Sequence, residues 1–511
     1  MSTSTPSITP SVASQTPHEG TFFGHPRSLA TFFFTEFWER FSYYGMRAIL
    51  VLFLTAPAAI SGMQFDTATA GFIYGLCTSL AYLANLPGGW IADKLIGQRK
   101  AVLYGGVLIS LGNLCLAFHG IPFLFSGLLL IILGTGLLKP NVSAMVGSLY
   151  TPDEPARRDA GFSIFYVGIN AGAFVAPLIV GTLGEKVNWH IGFLASSIGM
   201  AIGVVWYWFG SRRLAEDIGR VSEQNQPSIA QNRRTFFIAV GGLLALVLVL
   251  GLYFSSQSTE SVVATMKVGF NVLYLLVPVV FFSVILSGNK LTLVEKKRFI
   301  VIGIFFLLSA VFWGSFEQAG STLTLFARDF TDRSVGDSAV LRVFGTEVPT
   351  SAFASLNAMF IIIFASVFAL LWVKLGKHQP SSPAKLALGL IITGSGFWVL
   401  SIAAAQAGTG KVSPLWLVCV YLLHTTGELC LSPVGLSNVT KLAPERYVSQ
   451  AMGIWFLGSS VGNYLAGQAA GYVEQFPMAQ VFFIVFCIAS GTGLVAMLFV
   501  KPIKKLMGGV E

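Results

Sequence analysis

The apolar positions of this chain come in long runs rather than in the strand alternation or one-faced helical stripe of a soluble fold. Runs long enough to span a bilayer fall at about 30–57, 68–92, 101–119, 121–149, 160–184, 188–210, 235–255, 264–287, 298–327, 351–375, 384–407, 413–440, 448–472 and 477–500. They predict an all-α integral membrane protein of fourteen transmembrane helices.

The loops set the orientation. Basic residues cluster after every second span: Lys94, Arg99 and Lys100; Arg157 and Arg158; Arg212, Arg213, Arg220, Arg233 and Arg234; Lys290, Lys296, Lys297 and Arg298; Lys374, Lys377 and Lys385; Lys441 and Arg446; then Lys501, Lys504 and Lys505. The intervening loops are poor in charge or mixed in sign. Both termini are therefore expected in the cytoplasm.

Composition agrees. The chain has 511 residues, 54% apolar and 11% charged, against about 25% charged in a soluble protein. Too few charges remain to coat a folded surface, so lipid must solvate most of it. The net charge of +9 belongs to the cytoplasmic loops and does not point to nucleic acid. The five cysteines lie in apolar runs without metal-ligand or disulfide spacing, as small buried hydrophobes do. Residues 1–28 lack the basic-then-apolar pattern of a signal peptide and read as a disordered cytoplasmic tail.

An internal repeat organises the spans. Phe37, Trp38, Phe41 and Gly45 in span one return as Phe312, Trp313, Phe316 and Gly320 in span nine. Leu138, Pro140 and Leu149 return as Leu431, Pro433 and Leu442. The pattern is two six-helix halves with two helices inserted between them, the major facilitator arrangement, whose site lies between the halves. The expected division is a tail at 1–28, a bundle at 29–211, a linker with two added spans at 212–297, a second bundle at 298–501 and a tail at 502–511. After span two, Gly89, Asp93, Gly97 and Arg99 resemble the major facilitator loop motif Gly-x-x-x-Asp-x-x-x-Gly-x-Arg. There the glycines would allow a tight turn and close helix approach, and the charges would latch helix ends during gating.

Charges inside a membrane are costly and mark function. Span one carries Glu36, Glu39, Arg40 and Arg47, and Glu36, Arg40, Tyr43 and Arg47 fall on one helical stripe. Such a stripe should line a wet cavity, although Glu36 and Glu39 also fit an end-of-helix cluster solvated at the interface. Lys139, Glu317 and Glu428 are single charges in spans four, nine and twelve. Pairs such as Arg47–Glu317 and Lys139–Glu428 could close across the cavity as the halves rock. The same charges suit a zwitterion, with Glu428 on its amine and Arg47 and Lys139 on its carboxylate. Tyr43, Tyr44, Tyr82, Trp313 and Trp455 offer apolar faces with polar tips, or simply pack helices. Asn170 and Asn357 could bond a peptide backbone. His424 and Glu428, one turn apart, are the nearest thing to a metal pair, but no third ligand accompanies them, and His424 reads as a packing or hydrogen-bonding histidine. An enzyme is not expected.

Three motifs carry a resemblance. Glu36-Phe-Trp-Glu39-Arg40-Phe41-Ser-Tyr43-Tyr44-Gly45, Phe165-Tyr166-Val-Gly168-Ile169-Asn170-Ala-Gly172 and Gly427-Glu428-Leu429-Cys-Leu-Ser432-Pro433 resemble the signatures of the proton-dependent oligopeptide transporters, over about residues 28–500. The resemblance implies a proton-coupled symporter importing di- and tripeptides, functional as a monomer in the bacterial cytoplasmic membrane, with the proton as coupling ion and no cofactor. It implies that Glu36, Glu39 and Arg40 couple protons, with Glu317 paired to Arg47. Arg47 and Lys139 would bind the peptide carboxylate and Glu428 the amine. Tyr43, Tyr82, Asn170, Trp313, Asn357, Ser432 and Trp455 would line the pocket. The alternative on the same fold is proton-coupled transport of nitrate, another anion or an amino-acid derivative. Ala358 stands where the family usually has Pro, which puts the local bend of span ten in question.

Overall fold

The computed structural model describes residues 21–509 except 152, 216–217, 222–228, 255–256, 258, 289–290 and 337–340. Most of the expected N-terminal tail, together with Lys290, lies outside the described residues.

Fourteen long helical segments appear among the described residues. The first half contains α1 (Ser28–Thr55), α2 (Thr67–Ile96), α3 (Gln98–Leu116), α4 (Ile121–Gly147), α5 (Pro155–Lys186) and α6 (Trp189–Ser211). Then come the inserted α7 (Ile229–Phe254) and α8 (Thr259–Ser287). The second half contains α9 (Leu293–Asp329), α10 (Thr350–Leu375), α11 (Ser382–Gln406), α12 (Leu415–Leu442), α13 (Val448–Tyr472) and α14 (Met478–Leu498). An even number of crossings puts both ends of the described chain on one face, the terminal face; the other is the distal face.

Nine of these segments are long and apolar enough to cross a membrane on composition alone, among the described residues. The windows of α8 and α10 are 11% and 17% buried, so lipid solvates most of their surface. By contrast α1, with its four charges, is enclosed along most of its length, and so is α13 with its glycines and serines. A helix shielded from lipid needs little apolar surface of its own, which is why its composition is a weak membrane signal.

The repeat is visible in side-chain geometry. Phe37 and Trp38 meet edge-on at 5.2 Å, and Phe312 and Trp313 at 5.3 Å. Glycines set the helix spacing. The Gly105 and Gly112 positions of α3 lie so close to the Gly134 and Gly127 carbonyls of α4 that an added Cβ would stand 2.7 Å from each. The two halves touch along α2 and α13 in the same way, where a Cβ on Gly75 would come within 2.8 Å of the Gly467 Cα.

Several expectations change. Residues 21–26, assigned to the tail, form a short antiparallel hairpin of β1 (Thr21–Phe22) and β2 (His25–Pro26), held where His25 Nδ1 meets Tyr150 Oη at 3.0 Å. The C-terminal tail is largely α15 (Val500–Met507), which buries Ile503 and Met507. The helix of α10 runs from Ser355 to Leu375 without a break at Ala358. Alanine keeps the backbone N–H that proline would lack. The irregularity falls earlier, in the 3-10 turn Thr350–Ala354.

The inserted helices do not stand apart. Tyr274 of α8 hydrogen-bonds Ser79 of α2 and, at 3.2 Å, Ser460 of α13, while Ser79 Oγ and Ser460 Oγ lie 2.8 Å apart. One node of three hydroxyls thus joins both halves and the insertion.

Candidate functional site

A cavity of about 350 Å³ lies between the halves, within the size range of small-ligand sites. Helix α1 lines it with Glu36, Arg40, Tyr44 and Arg47. The expected stripe is shifted by one residue: Tyr44, not Tyr43, faces the cavity. Tyr43 is buried in the apolar core behind it, its ring edge-on to Tyr44 at 5.5 Å. Glu39 also turns inward and is fully buried. Arg40 Nε stands 2.9 Å from Glu36 Oε1 and 2.5 Å from Glu39 Oε2. Two carboxylates therefore share one guanidinium inside the protein, which rules out an interfacial cluster for Glu39.

On the distal side of the cavity Arg47 pairs with Glu317 of α9, as expected, and the pair joins the two halves. Arg47 Nε also donates to Tyr74 Oη at 2.6 Å. Tyr74 of α2 was not anticipated. A lone tyrosine in an apolar run carries no spacing signal, and its role arises only where α2 crosses α1.

Glu428 of α12 faces the cavity and accepts a hydrogen bond from Asn357 Nδ2 at 3.0 Å; the same nitrogen lies 3.0 Å from Thr425 Oγ1. Asn357 thus spends its donor orienting Glu428 rather than waiting for a backbone. Asn170 likewise donates to the Tyr166 carbonyl of its own helix at 2.9 Å. The Lys139–Glu428 pair does not form in this conformation: Lys139 Nζ sits over the Tyr82 ring, 4.2 Å from its centroid, a cation–π contact. Trp313 and Trp455 line the wall, and the Trp313 indole N–H has no partner among the described residues. The Ser432 side chain lies outside the described residues. Tyr166, Tyr421 and His424 also reach the cavity. His424 lies against the Phe397 ring at 4.9 Å, and no group of three or more metal-ligating side chains occurs among the described residues.

The distal side is closed by further contacts between the halves. Glu185 at the end of α5 accepts from the backbone N–H groups of Thr350 and Ser351, each at 2.8 Å, and from Ser351 Oγ at 2.6 Å. Lys186 donates to the carbonyls of Phe344 and Glu347, and Ser355 Oγ to the Phe174 carbonyl at 2.7 Å. Toward the terminal face the cavity continues into a groove of about 540 Å³ between α5 and α10, sharing Tyr166, Asn170 and Ile361 with it.

The loop motif lies beyond, on the terminal face. Asp93 is in a π turn, and Gly97 has φ +82°, a conformation that favours glycine. Arg99 Nε donates to the Ile218 carbonyl at 2.5 Å, and a second guanidinium nitrogen donates to the Ala215 carbonyl. The motif thus grips the strand of chain that leaves α6. Gly89 is not the closely packed glycine: a Cβ there would meet open space, whereas one on Gly88 would collide with the Gly136 carbonyl of α4.

A family model described as "PTR2: POT family" matches residues 99–485. The chain belongs to the POT family. Among similar proteins, a "Di-/tripeptide transporter" of Lactococcus lactis subsp. lactis is 39% identical over 96% of this chain and 99% of its own length. The "Peptide transporter YePEPT" of Yersinia enterocolitica is 40% identical over 98% of each chain. A crystal structure of "peptide transporter POT in complex with sulfate" superposes with a TM-score of 0.87 at 39% identity, covering 96% of this chain and 98% of that one. This POT-family chain therefore has the major facilitator fold and is a membrane transporter, not an enzyme.

Proposed function

We propose that this POT-family chain is a proton-coupled symporter that imports di- and tripeptides by alternating access. The observation that carries the reading is the charge layout of one cavity: Glu428 on the second half, Arg47 and Lys139 on the first, and the buried Glu36–Glu39–Arg40 group beside them. A zwitterion with separated amine and carboxylate complements that layout. A simple anion leaves Glu428 unmatched.

The terminal face is the cytoplasmic face on the distribution of Lys and Arg, in the cytoplasmic membrane of a bacterium, and the monomer is the working unit. The conformation, closed distally and grooved toward the terminal face, is then inward-facing. Glu36, Glu39, Glu317 and Glu428 oppose Arg40, Arg47 and Lys139 in and around the cavity. Four carboxylates against three cations leave one negative charge, which one proton cancels. A peptide zwitterion adds none. Protonating Glu39 leaves Arg40 to Glu36 alone, or protonating Glu317 frees Arg47, so that the distal contacts open only when a proton has entered. Gly314 and Ser315 occupy the places of Glu39 and Arg40 in the repeat, so proton handling rests on the first half. In this scheme Tyr44, Tyr82, Asn170, Trp313 and Trp455 accommodate varied side chains, and Asn357 holds Glu428 toward the amine. The Gly97 turn and Arg99 steady the terminal face as it opens.

Purified protein in proteoliposomes should concentrate a labelled dipeptide when the outside is acidic and only equilibrate it when the pH is equal. Uptake of nitrate under the same gradient, with no dipeptide uptake, would defeat the reading.

A further inference from the structure

A second cavity, of about 640 Å³, opens at the terminal face between the start of α1 and the end of α6, away from the transport cavity. Arg27 stands at its rim beside α1 and Arg213 just beyond α6, while Trp206 and Phe209 form its apolar wall. Both arginines are exposed, and neither guanidinium has an ion pair or hydrogen bond among the described residues. The adjacent Arg212 is engaged elsewhere, stacked 4.1 Å from the Trp208 centroid.

The cavity does not end at its rim. Trp206 and Phe209 also line an apolar groove of about 490 Å³ that continues along α6 past Val205 and Ile202 to Ile198. These positions recur with the helical period and form one strip running from the terminal face into the membrane. Ile198, Val205 and Phe209 are each more than half exposed, so none of the described residues covers the strip.

We propose that the cavity and groove together bind one anionic phospholipid, its phosphate between Arg27 and Arg213 and one acyl chain along α6. Two unpaired guanidiniums offer fork-shaped donors that match phosphate oxygens. Tryptophan at this level is suited to the headgroup layer, and basic pockets at membrane helix ends select acidic headgroups. A free anion would use the arginines and leave the groove empty. A zwitterionic lipid would fill the groove but bring a cation toward the arginines. Only a negatively charged amphiphile satisfies both parts. The site is separate from the peptide cavity, so it stands or falls independently of the transported solute.

Native mass spectrometry of the full-length protein, titrated with phosphatidylglycerol or with phosphatidylcholine of the same chains, tests it. The wild type should bind one phosphatidylglycerol more tightly than any phosphatidylcholine. The double variant R27Q/R213Q should bind it about thirty-fold more weakly, and each single variant about five-fold, at the usual strength of a surface basic residue on an acidic headgroup. Filling the groove with Ala201→Trp should weaken phosphatidylglycerol binding with both arginines present. Inorganic phosphate at millimolar concentration should not displace the lipid. Equal binding of the two lipids, unchanged binding in R27Q/R213Q, or displacement by phosphate would each overturn the proposal.

Discussion

Replacing Glu317 with Gln tests the distal closure at its centre. The carboxylate of Glu317 meets Arg47 across the two halves with side-chain exposures of 3% and 10%. Gln keeps the shape and one acceptor but removes the countercharge. Breaking a fully buried pair costs about 3–5 kcal/mol, because the remaining ion is left uncompensated. Here Arg47 retains its bond to Tyr74 and borders a cavity that admits water. We therefore expect a loss of about 2 kcal/mol, between the buried and exposed limits. The loss falls on the distally closed state, since only that state brings the two residues together. An equilibrium favouring closure about tenfold would then shift by roughly thirty-fold and favour opening about threefold. Spin labels at Ile60 and Phe476, exposed on the distal face of opposite halves, read this as a distance distribution at neutral pH. The longer-distance population should grow in Glu317→Gln. Tyr74→Phe should move it the same way but less. An unchanged distribution, or one shifted to shorter distances, refutes the idea that this pair holds the distal side shut.

Glu39→Gln should abolish gradient-driven uptake while sparing peptide exchange at equal pH; accumulation of peptide by the mutant under a pH gradient would contradict the coupling role. Asn357→Ala should weaken dialanine binding about tenfold, the usual scale for a hydrogen bond to a charged group, but leave an N-acetylated dipeptide unaffected, as calorimetric titration of the pair can show. Gly88→Ala should destabilise the purified protein by about 1–3 kcal/mol through overlap with α4, whereas Gly89→Ala should leave its thermal midpoint unmoved. A reversal-potential measurement should return one proton per neutral dipeptide, and two would break the charge balance of the cavity.

The spans and their pairing into halves were legible because lipid imposes long apolar runs and duplication repeats them. Buried charges in α1 were legible for the complementary reason: nothing but a polar interior tolerates them. What failed was anything depending on rotation by a fraction of a turn. Tyr43 and Tyr44 are neighbours in sequence, and only the tilt of α1 decides which faces the cavity. Gly88 and Gly89 differ likewise, one against α4 and one beside open space. Lys139 was assigned to Glu428 on charge alone, but an isolated conformation can satisfy an ammonium with an aromatic face instead. Tyr74 and the Tyr274–Ser79–Ser460 node join residues far apart in the chain, and no local pattern announces such a meeting.

The bare glycine contact between α2 and α13 has a mechanical meaning. A hinge whose faces carry interlocking side chains must lift one tooth over another to turn, and its speed is set at the axle. Here two backbones nearly touch, with no tooth between Gly75 and Gly467. The bundles can pivot there on bare backbone, but the hydroxyl node of Ser79, Ser460 and Tyr274 on the same pair of helices must bend or part as they do, so resistance to rocking is shared between that node and the latches at the rims, Arg47–Glu317 and Glu185–Ser351 among them. The transporter's timing is then written at its edges and in one cluster of hydroxyls on its axle.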